Sequence, residues 1–197
     1  MRRVGLARPL LACAMLLRTA LTPASAMAES MAVPAERQVS IIFKVLTYDR
    51  QLEARVGSEL VVGVVHDPTD KDSATAADEI QTTLYKFTGK TVKSLPIKYF
   101  LIEYTKPADM EAFVKAKSIN MLYVTPGLAK NLPDILKIAQ THHITTATGV
   151  PEYVRRGVSV GIGIRQDQTQ ILINLAASRA EGIEFDASLL RIATIVQ

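Results

Sequence analysis

Cysteine is nearly absent from this 197-residue chain, and its one occurrence, Cys13, falls in a leading segment with the layout of a targeting peptide. Once that segment is removed no thiol remains. A disulfide framework, a thiolate metal site and a cysteine nucleophile are thereby excluded, even for an oxidising destination. A surplus of positive charge is missing too. The chain carries 23 Lys and Arg against 19 Asp and Glu, but Arg2, Arg3, Arg8 and Arg18 all lie in the leading segment and no acidic residue does. The mature chain is formally neutral, the sequence pI near 9.2 belongs to the leader, and without a basic face nucleic acid is excluded as a partner class. Long apolar runs are missing as well. Pro9 to Leu17 is closed by Arg18 and falls short of the roughly 20 residues a membrane span needs.

That short run follows Met1-Arg2-Arg3 and precedes the small-residue stretch Pro23-Ala-Ser-Ala-Met-Ala28, which predicts a cleavable secretory signal peptide over 1–28, cut after Ala26 or Ala28, and export to the periplasm. Leu10-Leu-Ala-Cys13 resembles a lipoprotein cleavage box, but too little apolar sequence precedes it. Residues 29–35, with Pro34, read as a mobile mature N-terminus. The rest, 36–197, has the size of one domain with its own core.

Val39, Ile42, Phe43 and Leu46 recur at helical spacing from Glu36 onward, giving a leading amphipathic helix that ends near Tyr48-Asp49-Arg50. Glu59 to Val65 is a nearly unbroken β-branched run, as in a parallel strand covered on both faces. A helix from about Ser73, with Ile80, Leu84 and Phe87 on one side, stops at Gly89. Strands over Ile97 to Glu103, Asn120 to Val124 and Ile144 to Thr148 alternate with helices opening at Pro107 and Leu132. This rhythm predicts parallel βαβ units. Val158 to Arg165 then alternates with period two, and a polar turn at Gln166 to Thr169 leads into Gln170 to Asn174, an antiparallel hairpin. A short helix from Leu175 to Glu181 ends at Gly182. Asp186 caps a closing helix with Leu189, Ala193 and Val196 inward. The expected fold is α/β: a single-domain, mostly parallel sheet flanked by helices, with a C-terminal antiparallel hairpin and a closing helix.

Motifs that would carry chemistry fail on context. Gly157-Val-Ser159-Val-Gly161 matches a nucleophile elbow in letters, yet it lies in an alternating strand, and no histidine follows His143. Gly89-Lys90-Thr91 resembles the end of a P-loop, but Leu84 stands where the first glycine belongs. His142 and His143 are sequence neighbours with no carboxylate at helical spacing, and His66 beside Asp67 reads as a loop histidine. No metal site, cofactor site or acid–base dyad is expected. The place that favours a ligand is the crevice outside the carboxyl ends of the parallel strands. Its candidates are Asp67, Thr125, Gly127, Thr148 and Gly149, whose hydroxyls and amides suit a small polar ligand.

The closing stretch carries a family pattern: Ile173-Asn174-Leu175 ending a strand, an Ala-rich helix over Ala176 to Glu181, then Gly182 and Leu189-Leu190. It resembles the C-terminal signature of the YfiR family of small exported proteins. Phe43 to Asp49, Val61 to Val65, Met121 to Val124, Thr145 to Gly149 and Gly157 to Ile164 extend that resemblance across 36–197. It implies a periplasmic α/β protein without enzymatic activity that binds the periplasmic domain of an inner-membrane signalling protein, a diguanylate cyclase or a sensor kinase, and modulates its output in cyclic-di-GMP or related signalling. Asn174 matches the family's Asn and carries over as a structural cap, together with Gly182, Leu189 and Leu190. The chain departs from cysteine-bearing relatives, so their redox-sensitive regulation does not transfer. A small-ligand binding module resembling one lobe of a substrate-binding protein is the alternative, and a homodimer remains open.

Overall fold

The computed structural model describes residues 31–196; the expected signal peptide over 1–28 lies outside the described residues. In chain order the elements are α1 (Ala35–Leu46), α2 (Leu52–Val56), β1 (Leu60–His66), α3 (Lys71–Tyr85), β2 (Thr91–Val92), β3 (Leu95–Glu103), α4 (Pro107–Lys117) and β4 (Met121–Val124). They continue with α5 (Leu132–Thr141), β5 (Thr145–Thr148), α6 (Pro151–Arg155), β6 (Val160–Arg165), β7 (Gln168–Asn174), α7 (Leu175–Ala180), α8 (Ala187–Leu190) and β8 (Thr194–Val196).

The strands form one sheet in the order β2-β3-β1-β4-β5-β6-β7-β8. From β3 across to β6 every pairing is parallel, β6 and β7 form the antiparallel hairpin, and β2 pairs antiparallel with β3. The chain leaves β1 for β3 on one side and returns to β4 on the other, which puts the topological switch point between β1 and β4.

Both faces are covered, as the β-branched run of β1 requires. Leu60, Val62 and Val64 join a core with Val39, Ile42 and Leu46 of α1 and Ile80 and Leu84 of α3. Val61 and Val65 join the opposite core with Met110 and Val114 of α4 and Ile135 and Ile138 of α5. On the first face Phe43 meets Phe87 edge to face at 5.3 Å. Helix starts follow from side-chain chemistry: Asp70 accepts from Ser73 N at 2.8 Å ahead of α3, and Pro107 opens α4.

The end of the chain corrects the sequence reading. The helix capped by Asp186 stops at Leu190, and Thr194–Val196 form a strand parallel to β7, with Ile173 opposite Ile195. The β-branched residues Ile192, Thr194, Ile195 and Val196 pair better with an open sheet edge than they extend a helix. Two short helices, α2 and α6, also go beyond the sequence reading, since five residues carry too little periodicity to be recognised. Before α1, Val33 is buried against the first core.

Candidate functional site

At the carboxyl end of the sheet the five candidate residues occupy the exits of β1, β4 and β5. Asp67 Oδ1 accepts from Thr69 N at 2.8 Å and Thr69 Oγ1 at 2.7 Å. Those bonds, the hydroxyl's first, hold its carboxyl below the usual range. Thr125 donates to Val65 O at 2.9 Å and takes a bond from Ser73 Oγ at 2.7 Å, while Ser73 accepts from Asp67 N. Asp67 and Thr125 are thus joined through Ser73 across the switch point. Gly127 lies in the turn behind β4, beside the Asp70 carboxylate. Thr148 donates to Val124 O at 2.8 Å and accepts from Val150 N at 3.1 Å.

Gly149 sits directly under the amide of Gln38, where a β-carbon would come within 2.2 Å of Oε1. Gln38 donates to Val33 O at 2.6 Å and accepts from the Tyr123 hydroxyl at 2.6 Å, with burial raising the Tyr123 pKa well above its ordinary value. The start of α1 therefore roofs the exit of β5. His66, at the end of β1, is buried, and neither ring nitrogen has a hydrogen-bond partner among the described residues.

The opposite, amino end of the strands carries a second polar assembly. Asp49 is fully buried behind α1 and pairs with Arg55 of α2 at 2.5 Å. Its other oxygen accepts from the backbone of Gln51 at 2.9 Å and of Glu184 at 3.0 Å. Arg55 also donates to His143 O at 2.9 Å and Thr145 Oγ1 at 3.1 Å, at the start of β5. Next to it lies Glu181, also fully buried. Its carboxylate accepts from Thr146 N at 2.9 Å, Thr146 Oγ1 at 2.6 Å and Ser159 Oγ at 2.5 Å. Burial pushes the Glu181 carboxyl up to about 7, against the pull of these hydrogen bonds and of Arg55.

This assembly backs an open cleft of about 550 Å³ lined by Arg55, Val56, Ser118, Ile119, Asn120, His142, His143 and Gly182. Gly182 follows α7 with φ +79°, and a β-carbon there would meet Arg55 Cδ at 3.2 Å and His143 Nδ1 at 3.4 Å. The glycine both ends the helix and lets the two side chains close the wall. Asn174 caps α7 by accepting from Ala177 N at 3.0 Å and also donates to Val154 O at 2.9 Å, while Leu189 is fully buried and Leu190 packs against the first core. Sequence reasoning did not reach Asp49, Arg55 and Glu181 as a group. The sequence offered no advance signal, since Asp49 and Arg55 lie in a stretch that also holds Arg50 and Glu53.

A family model described as YfiR/HmsC-like matches residues 36–194, from α1 into β8. No curated protein matches the chain. Among solved structures, an ABC domain in complex with L-Trp from Streptococcus pneumoniae superposes with a TM-score of 0.57 at 16% identity, over 83% of this chain and 60% of that one. A conserved domain protein from Vibrio cholerae gives 0.58 at 15% identity, with the same 83% and 60% coverage. A substrate-binding protein with adhesive properties from Clostridium difficile, ligand-free and open, gives 0.52 at 17% identity, over 75% of this chain and 57% of that one. The chain thus spans about 60% of the length of the first two structures, and the likeness is one of fold.

Proposed function

Since the chain belongs to the YfiR/HmsC-like family, we propose that it is an exported regulatory protein without enzymatic activity that binds the periplasmic domain of an inner-membrane signalling protein and modulates its output. A diguanylate cyclase or a sensor kinase is the partner class. The observation that carries this reading is the family match over 36–194, which takes in almost every described element. The way the fold is fastened supports it. Asp49 and Arg50 of the leading segment bind Glu184 and Asp186 near the end of the chain, so the two ends of the domain are joined.

The experiment is crosslinking of the tagged mature protein in intact cells, followed by identification of what co-purifies from the inner membrane, with an unrelated exported protein as control. Enrichment of a sensor cyclase or kinase is expected. Recovery of nothing above control, or robust turnover of a substrate by the purified protein, overturns the proposal.

The second reading, a small-ligand binding module, is favoured by the likeness to a substrate-binding protein and an L-Trp-bound domain. Its site is the switch-point crevice, where Asp67, Thr125, Gly127, Thr148 and Gly149 stand at strand exits. The hydroxyls there already have backbone partners, and Gln38 covers Gly149. A ligand at Gly149 therefore requires Gln38 to withdraw. Thermal stabilisation by members of a metabolite panel supports this reading, and no shift at millimolar concentrations counts against it.

A further inference from the structure

We propose that the outer edge of β3 is the interface of a symmetric homodimer, in which two copies pair their β3 strands antiparallel. The sheet leaves this edge open. β2 covers only its start, with Thr91 opposite Pro96 and Val92 opposite Leu95, and among the described residues no strand lies outside residues 97–103. The direction of the free backbone groups follows from the inner neighbour. Tyr104 N donates to His66 O, so the even-numbered residues of β3 bond to β1. The N–H and C=O groups of Ile97, Tyr99, Leu101 and Glu103 therefore point outward.

Edge strands that remain single are blunted by proline, bulges or charged side chains. Residues 97–103 hold no proline, and their two charges are Lys98, which Glu59 engages at 2.6 Å, and Glu103 at the far end. Ile97, Tyr99, Phe100 and Leu101 are only half-buried against the two cores. The opposite edge of the sheet, β8, is much shorter, with three residues.

The occupant is a second copy because the edge complements itself. Outward-pointing residues must meet outward-pointing ones, and the incoming strand must stop short of β2. Pairing centred on Leu101 meets both conditions. Leu101 then lies opposite its own equivalent, Tyr99 opposite Glu103 of the second copy, and Phe100 opposite Ile102. Centring on Phe100 instead brings the second Tyr104 opposite Pro96, where Thr91 already sits. Each outward-pointing pair exchanges both backbone bonds, about six across the interface.

Charge agrees with this register. Glu103 shares a sheet face with Tyr99, which packs on the first core beside Phe87, and Lys90 lies over the Phe87 ring at 4.5 Å. Both Lys90 and Glu103 are exposed, and neither has an ion-pair partner among the described residues. The two-fold axis brings each Glu103 toward the Lys90 of the other copy, so the match occurs twice.

The test is sedimentation velocity of the full mature protein across the micromolar concentration range. A concentration-dependent equilibrium between monomer and dimer is expected. Lys90→Glu and Glu103→Lys should each weaken it about tenfold, because each turns two attractive contacts into repulsive ones. Combining the two reversals should restore dimerisation to near the wild-type level. Ile195→Lys, at an exposed position on the opposite edge, should leave it unchanged. The proposal is overturned if the protein is monomeric throughout, if the dimer ignores both reversals, if the combined variant stays as weak as the single ones, or if Ile195→Lys weakens association as much. None of these outcomes bears on the membrane-partner reading, which crosslinking tests separately.

Discussion

Ser159 and Glu181 meet at 2.5 Å inside the protein, the hydroxyl donating to a carboxylate that no solvent reaches. Ser159 precedes β6 and Glu181 follows α7, and Thr146 of β5 completes the same cluster. The bond therefore ties the parallel part of the sheet to the closing segment.

Glu181 makes stability depend on pH in an unusual direction. Its carboxyl is pushed from 4.5 up to about 7, so the folded protein holds a proton that the unfolded chain has released. Its contribution is full below pH 4.5 and is lost as pH rises through about 7. Glu181→Gln keeps the acceptor for Thr146 N and Ser159 Oγ and cannot ionise. Between pH 5 and 8 the wild type is expected to lose up to about 3 kcal/mol relative to this variant. Denaturant unfolding at both pH values checks this, and parallel pH profiles for the two proteins would refute it.

Arg55→Met is expected to destabilise the protein by about 3–5 kcal/mol, because it strands the Asp49 carboxylate in the interior. Adding Asp49→Asn removes the stranded charge and keeps an oxygen for the Gln51 and Glu184 amides. Urea titration of both variants should show the double mutant more stable than Arg55→Met alone. If it is less stable, the ion pair is not what makes Arg55 matter.

Gly149→Ala places a methyl group 2.2 Å from Gln38 Oε1 and 2.6 Å from Nε2, an overpacking expected to cost about 1–3 kcal/mol. Gln38→Ala costs a similar amount, about 1–3 kcal/mol, by leaving the Val33 carbonyl without its donor and the Tyr123 hydroxyl with Met31 Sδ in place of a strong acceptor. The two defects share one space. A double-mutant cycle followed by thermal unfolding should show the pair costing less than the sum, and strict additivity would mean that the two residues do not collide.

Much of the fold was legible in the sequence because apolar pattern and layer architecture are local signals. The run at Val61 to Val65 read as a doubly covered strand, and it has both faces buried; Val158 to Arg165 read as one arm of a hairpin, and β6 pairs with β7. Ile192 to Val196 misled because Leu189, Ala193 and Val196 fall at helical spacing after a capped start, and the open edge of β7 makes the last of them a strand. The polar assembly around Arg55 was illegible for a different reason. Glu181 finds its partners 22 and 35 residues away, and Asp49 finds Glu184 at a separation of 135. Ahead of folding, each looks like an ordinary surface charge. The crevice residues were placed at strand exits by topology alone, whereas the cover over Gly149 comes from Gln38, in a helix more than a hundred residues earlier.

The bridge between Asp49 and Phe185 also sets a schedule for folding. Arg55 lies six residues from Asp49, whereas the Glu184 amide lies 135 residues away and can arrive only when nearly the whole chain is present. Closing so long a loop is slow compared with assembling neighbouring βαβ units. Until that last latch falls, the leading helices have no anchor to the tail, and a nascent chain halted before residue 184 lacks its fastening however complete its central strands are.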